Sequence, residues 1–105
     1  MVSRKKVQNR AQFQPTLGPK WAFGKALREA RDKKNLSQEE LAEAAGIDRS
    51  FVSLVERGIQ SPNIVALLKI AEVLGVPAAV LIAETESKMR SALAKPVRPQ
   101  KKPVG

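Results

Sequence analysis

The chain contains no cysteine, no histidine and no tyrosine. These three absences remove disulfides, thiol nucleophiles, imidazole bases and the common zinc sites together. Little is left from which to build an enzyme, and neither a catalytic residue, a metal nor another cofactor is expected. Aromatic residues are also scarce, with one tryptophan and three phenylalanines. Recognition of single-stranded nucleic acid usually stacks bases on exposed aromatics, and only Trp21 and Phe13 are candidates for that here. No apolar run approaches the roughly 20 residues of a membrane helix, and residues 1–10 lack the apolar core of a secretory signal. A soluble, cytoplasmic protein with no membrane partner is the expectation.

What the chain does have is positive charge, and that charge is unevenly placed. Over 105 residues the net charge is +9, which by itself suggests a polyanionic partner. Residues 1–22 carry five Lys/Arg and no acid, residues 23–83 carry eight of each sign, and residues 84–105 carry six bases against two acids. The excess therefore lies at the two ends, while the central part is neutral. Any polyanion must be recognised there by where a few charges point, with the ends either adding unspecific attraction to phosphate or serving only to solubilise.

The length accommodates one small domain with extensions. Residues 1–20 contain Pro15, Gly18 and Pro19 and show no period that would bury a face, so they read as a flexible basic arm. From Trp21 the pattern becomes helical: Phe23, Leu27 and Ala30 recur at helical spacing and Leu36 follows a polar turn. A first helix over about 20–34 is expected, with Asn35 as its left-handed stop. Ser37 and Glu40 form a capping box that opens a second helix, with Leu41, Ala42 and Ala45 inward. Gly46 ends it, its missing side chain allowing a sharp reversal and close helix approach. Ile47 is the buried residue of the turn, and Asp48 has the side chain to cap a third helix to Arg57, with Val52 and Val55 facing the core. Asn63 caps an apolar fourth helix closed by Gly75, and Pro77 suits the first turn of a fifth reaching about Ala83. Thr85 to Lys95 has no breaker and can extend that helix; Pro96, Pro99 and Pro103 then forbid it. The expected architecture is all-α: five helices over residues 21–83, followed by a basic tail over 84–105 that is helical at first and then disordered.

Two short helices over about 37–45 and 48–57, joined at a glycine, have the layout of a helix-turn-helix and point to double-stranded DNA. Around them the chain resembles the phage Cro and repressor type of helix-turn-helix domain, the xenobiotic-response-element family of bacterial regulators. The resemblance spans Phe23 to Ala83. It is carried by Leu27-Arg28 and Arg31; by Leu36-Ser37-Gln38, Glu40, Leu41 and Ala42; by Gly46-Ile47; by Val52-Ser53 and Val55-Glu56-Arg57-Gly58; and by Pro62, Leu67, Ile70-Ala71 and Leu74-Gly75-Val76. These residues in this order, with these gaps, make a specific signal.

The resemblance implies that the third helix lies in the major groove and reads bases with Arg49, Ser50, Ser53 and Leu54. A guanidinium can donate two parallel hydrogen bonds to guanine O6 and N7, which puts Arg49 first; its other reading is a surface arginine paired with Asp48 or Glu56. Leu54 departs from the family's frequent polar residue, and either meets a thymine methyl or packs against Phe51. Phe51 in turn either covers the core edge near Val55 or presses on the sugar-phosphate backbone. Gln38, at a helix N-terminus that favours an anionic oxygen, is in the family position that grips a phosphate. Asn63, Arg57 and Lys34 are further phosphate candidates, each with a solvated-surface alternative. The resemblance also implies that Arg31 and Glu56 meet between the first and third helices, as a structural ion pair that fixes the third helix's angle.

The expected function is a sequence-specific regulator of transcription, a repressor acting as a homodimer on a palindromic operator with half-sites about 34 Å apart. Ile59, Ile64, Val65, Val80 and Ile82 exceed the needs of a small core and are candidates for the dimer surface. The alternative is an antitoxin or adaptor whose tail, through Met89, Ala92 and Leu93, binds a partner protein. The basic residues Arg4, Lys5, Lys6, Arg10, Lys101 and Lys102 are candidates for reaching around the duplex.

Overall fold

Helix α1 (Pro19–Lys33) begins at a proline, whose fixed φ and missing N–H suit the first helical position. Arg31 and Lys33 in its last turn favourably oppose the negative end of the helix dipole. Asn35 follows at φ 59°, the left-handed residue expected there. The computed structural model describes residues 18–94, with side chains to residue 92, and within them α1 is followed by α2 (Gln38–Ala45), α3 (Arg49–Glu56), α4 (Ile64–Leu74) and α5 (Ala78–Ala94). There is no strand among the described residues. The arm over residues 1–17 and the tail beyond 94 lie outside them, and with them every basic residue named above as reaching around the duplex.

Local sequence accounts for most helix ends. Ser37 Oγ accepts from the Glu40 N–H at 3.0 Å while the Glu40 carboxylate accepts from the Ser37 N–H at 2.8 Å, completing the capping box. Asn63 Oδ1 accepts from the Ala66 N–H at 2.8 Å. Asp48 differs from expectation: it occupies the N-cap of α3, but its side chain makes no cap hydrogen bond. Its backbone carbonyl accepts from the Phe51 and Val52 N–H groups, and among the described residues the carboxylate is in no ion pair. Gly46 also differs in part. It takes φ 71°, which a side chain would strain, yet a Cβ built there meets nothing within 4 Å. The turn needs its backbone conformation; it does not need the space.

The core joins all five helices. Leu27, Leu41, Val52, Val55, Ile70 and Leu81 are fully buried, with Phe51, Ile47, Leu36 and Val76 packed half-buried around them. Phe51 thus lies at the core edge, and Ile47 is shielded only in part. α4 is apolar except for Lys69 and Glu72 but buries one stripe, Leu67, Ile70, Ala71 and Leu74. Ile64, Val65 and Leu68 on its other side are more than half exposed.

α5 runs well past Ala83. Thr85 is buried and donates its hydroxyl to the Leu81 carbonyl at 2.8 Å, and Lys88 Nζ meets Glu29 of α1 at 2.8 Å. The extension therefore belongs to the packed helices, with α5 lying along α1. Met89 and Ala92, two residues of the supposed partner stripe, are half-buried; the Leu93 side chain lies outside the described residues. Among the described residues no single helix is long and apolar enough to cross a membrane.

Candidate DNA interface

The site is built around one carboxylate. Glu56, the last residue of α3, has a side chain only 4% exposed, and Arg31 of α1 reaches it with a side chain 11% exposed. Arg31 Nε donates to Glu56 Oε2 at 2.6 Å and Nη2 to Oε1 at 2.9 Å. This is a bidentate pair, with two parallel bonds that fix orientation as well as distance. The remaining face of the guanidinium is occupied too: Nη1 donates to the Leu36 carbonyl at 2.8 Å, which ties down the turn between α1 and α2. The hydrogen bond to Glu56 raises the Arg31 guanidinium above its ordinary value, against the opposing effect of burial and helped by the charges of Glu56 and Asp32. Arg31 is charged at every pH at which a duplex is stable.

Gln38 completes the cluster. Its Nε2 donates to Glu56 Oε1 at 2.9 Å, so the first residue of α2 is bonded to the last residue of α3. That bond is not legible in the sequence, where Gln38 stands either as a phosphate ligand or as an ordinary first-turn glutamine. It leaves one amide N–H and the amide oxygen free, beside backbone N–H groups at the positive end of α2. Glu56 thereby holds three helices in register: α1 through Arg31, α2 through Gln38, and α3 through its own backbone.

Gly24, inside α1, sets the distance between α1 and α3. A Cβ at Gly24 would meet the Val55 carbonyl oxygen and come within 2.8 Å of the Glu56 carbonyl oxygen. Only glycine lets α1 lie this close to the end of α3. The available signal was its cost: a glycine inside a helix loses about 1 kcal/mol against alanine, so a mid-helix glycine asks for a packing reason.

With its far end fixed, α3 presents its first turn to solvent. Arg49 and Ser50 are exposed, and Ser53 and Leu54 are half-buried. Arg49 is in no ion pair among the described residues. Arg57 is exposed just beyond the helix, and Asn63, also exposed, spends its oxygen on capping α4 and keeps its amide donors. Lys34 is placed differently: its Nζ lies 3.5 Å from where a Gly75 Cβ would stand, against the C-terminal cap of α4, where a cation is favoured by the helix dipole.

Two short helices, held end to end by a buried carboxylate and joined through a left-handed glycine, with the second helix's first turn bare, define a helix-turn-helix unit. Comparison with known proteins agrees: residues 27–81 match the model of the helix-turn-helix family of Cro/C1 type, and the chain belongs to that family of DNA-binding transcriptional regulators. Among its relatives is the cryptic phage CTXphi transcriptional repressor RstR of Vibrio cholerae, 32% identical over 76 residues that make up 72% of this chain and 68% of that one. The restriction-modification controller protein C.AhdI of Aeromonas hydrophila is 47% identical, with a TM-score of 0.56 over 57% of this chain and 91% of its own. The clp gene regulator ClgR of Corynebacterium glutamicum has a TM-score of 0.67 at 27% identity, covering 79% of this chain and 94% of its own.

Proposed function

We propose that the protein is a cytoplasmic repressor that binds a palindromic operator as a homodimer and does no chemistry on its ligand. α3 enters the major groove, where Arg49 reads a guanine and Ser50, Ser53 and Leu54 contact neighbouring base edges. Gln38 at the head of α2 and Asn63 at the head of α4 donate to phosphates, and Arg57 adds a third contact. Lys34 is the weakest of the four phosphate ligands, because its ammonium already rests at the end of α4. The observation that carries this reading is the pairing of a locked end with a bare one: Glu56 is bonded to Arg31 and Gln38, while Arg49 and Ser50 are exposed and free to meet a groove. The domain proper extends over the described helices to Ala94, because beyond Ala83 Thr85 is buried and Lys88 pairs with Glu29 of α1. The basic segments flank it on both sides.

The dimer contact is placed on the exposed face of α4. Ile64, Val65 and Leu68 are 63%, 57% and 53% exposed, and their spacing groups them on neighbouring turns. Asn63 caps the same helix immediately before them, so a twofold contact here would sit beside a phosphate ligand. Val80 does not join this group: it lines a cleft between α1 and the start of α5, with Ala26, Ala30 and Val76.

The test is selection from a randomised duplex pool with wild type and Arg49→Ala at one stated salt concentration. Wild type is expected to enrich a twofold-symmetric motif, and Arg49→Ala to lose one guanine preference per half-site, worth about 1–3 kcal/mol of discrimination each. Tight binding with no enriched motif would overturn the reading in favour of unspecific charge attraction. Sedimentation of Leu68→Glu, expected to be monomeric where wild type dimerises, tests the α4 contact separately.

A further inference from the structure

Each end of α3 carries a carboxylate, and the two are placed in opposite ways. Glu56 at the far end is buried and accepts three hydrogen bonds. Asp48 at the near end has a capping residue's side chain and no capping role. Its backbone is extended, φ −73° and ψ 141°, and the side chain makes no cap hydrogen bond. The backbone does the holding: its carbonyl accepts from the Phe51 N–H at 3.0 Å and from the Val52 N–H at 3.2 Å. The residue is exposed, and among the described residues its carboxylate is paired neither with Arg49 beside it nor with any other base. Burial does not account for an aspartate here, and neither does an ion pair.

We propose that Asp48 reads a cytosine, accepting from its N4 amino group in the major groove at the base pair adjoining the guanine met by Arg49. The inference rests on α3 entering the major groove, and it adds a specificity residue to Arg49, Ser50, Ser53 and Leu54. A carboxylate accepts and does not donate, and the only donors on the major-groove edges are the amino groups of cytosine and adenine. Adenine sets the N7 acceptor beside its amino group, which a carboxylate meets with repulsion, so cytosine is the better partner. Spacing fits two neighbouring base pairs. Consecutive Cα atoms are about 3.8 Å apart and successive nucleotides of a strand rise by about 3.4 Å. Side chains at adjacent helical positions do not face each other, in keeping with the missing Asp48–Arg49 pair. The head of α3 thus offers an acceptor to one base pair and two donors to the next.

The same carboxylate acts against other sequences. The net charge of +9 draws the chain to every duplex alike. Where the base pair facing Asp48 offers no donor, the carboxylate gives up water without gaining a bond, and the phosphates that flank the groove repel it. A penalty of this kind on the wrong partner is a source of specificity in its own right.

The test uses full-length wild type, Asp48→Ala, Asp48→Asn and Arg49→Ala, each selected from a randomised duplex pool at one salt concentration. Wild type is expected to enrich a cytosine in the pair adjoining the guanine that Arg49→Ala loses. Asp48→Ala is expected to lose that cytosine alone, and its preference for operator over an unrelated duplex to fall about tenfold, in part through tighter binding of the unrelated duplex. Asp48→Asn, whose amide both donates and accepts, is expected to move the preference at that position toward adenine. A motif unaltered in both Asp48 variants, with the guanine still lost in Arg49→Ala, overturns the inference and leaves the reading of α3 standing. An equal loss of affinity for operator and unrelated duplex overturns it too, since it assigns Asp48 a purely structural part at the helix head. A wild type that enriches no motif overturns the reading of α3 itself, and the part of Asp48 with it.

Discussion

At the scale of single residues the decisive interaction is electrostatic and almost dry. Glu56 receives three hydrogen bonds, two from Arg31 and one from Gln38, so removing it strands a buried guanidinium and an amide donor together. Loss of one partner from a buried pair costs about 3–5 kcal/mol, a large fraction of the stability of a small domain. Glu56→Ala is therefore expected to shift the urea midpoint strongly downward. Arg31→Met combined with Glu56→Leu should recover most of that stability, since an apolar pair of similar volume leaves no charge unpaired. If the double variant is as unstable as Glu56→Ala, the loss belongs to Gln38 and the turn carbonyl of Leu36 rather than to the stranded charge. The sign of the pH effect follows from the raised Arg31 value: its stabilisation is fully present below the unfolded value and fades only as pH rises past the folded one. Across the neutral and moderately alkaline range it is constant. This pair was legible as a resemblance between residues 25 positions apart; the part played by Gln38 was not, because no local pattern tells a first-turn glutamine which carboxylate the fold will bring to it.

At the scale of elements, helix ends were the readable part and helix faces the harder part. The capping box at Ser37, the cap at Asn63 and the left-handed Asn35 and Gly75 are local chemistry, visible within four residues of sequence. Which side of α4 is buried is not local. Its run of Ile64, Val65, Leu67, Leu68, Ile70 and Ala71 has apolar residues on more than one side, and only packing against α2 and α5 selects the stripe. Asp48 likewise shows that a capping residue type does not guarantee a cap. Gly24 gives the sharpest expectation at this scale. Gly24→Ala improves helix propensity by about 1 kcal/mol yet sets a methyl group against two carbonyl oxygens of α3, so α1 must lift away. A net loss of about 1–3 kcal/mol is expected, with operator affinity falling further than stability alone explains, because the tilt of α3 changes. Gly46→Ala is the matched control. It meets open space and is expected to cost only the left-handed strain of about 1–2 kcal/mol, read by the same denaturation curve. Equal effects on DNA affinity per unit of lost stability would show that Gly24 does not set the angle of α3.

For the whole molecule, folding and charge are divided along the chain. All ten acids lie within residues 18–94, against eleven bases, while the other eight bases lie outside that range with no acid beside them. A nearly neutral body can choose a sequence through the few groups at the head of α3, and uniformly basic ends can hold any duplex by releasing counterions. The two contributions are separable by truncation. Removing residues 1–12 deletes Arg4, Lys5, Lys6 and Arg10 and leaves Phe13 to Leu17 in place. If each of the four meets a phosphate, the slope of log affinity against log salt becomes shallower by about 3–4, and the loss of affinity is the same for operator and unrelated duplex. The base preferences selected from a random pool stay unchanged, because Arg49 and the groups around it are untouched. An unaltered slope would reduce that segment to a solubilising extension. A slope change accompanied by a changed motif would instead place one of its arginines in a minor groove, where A·T and G·C pairs can be told apart.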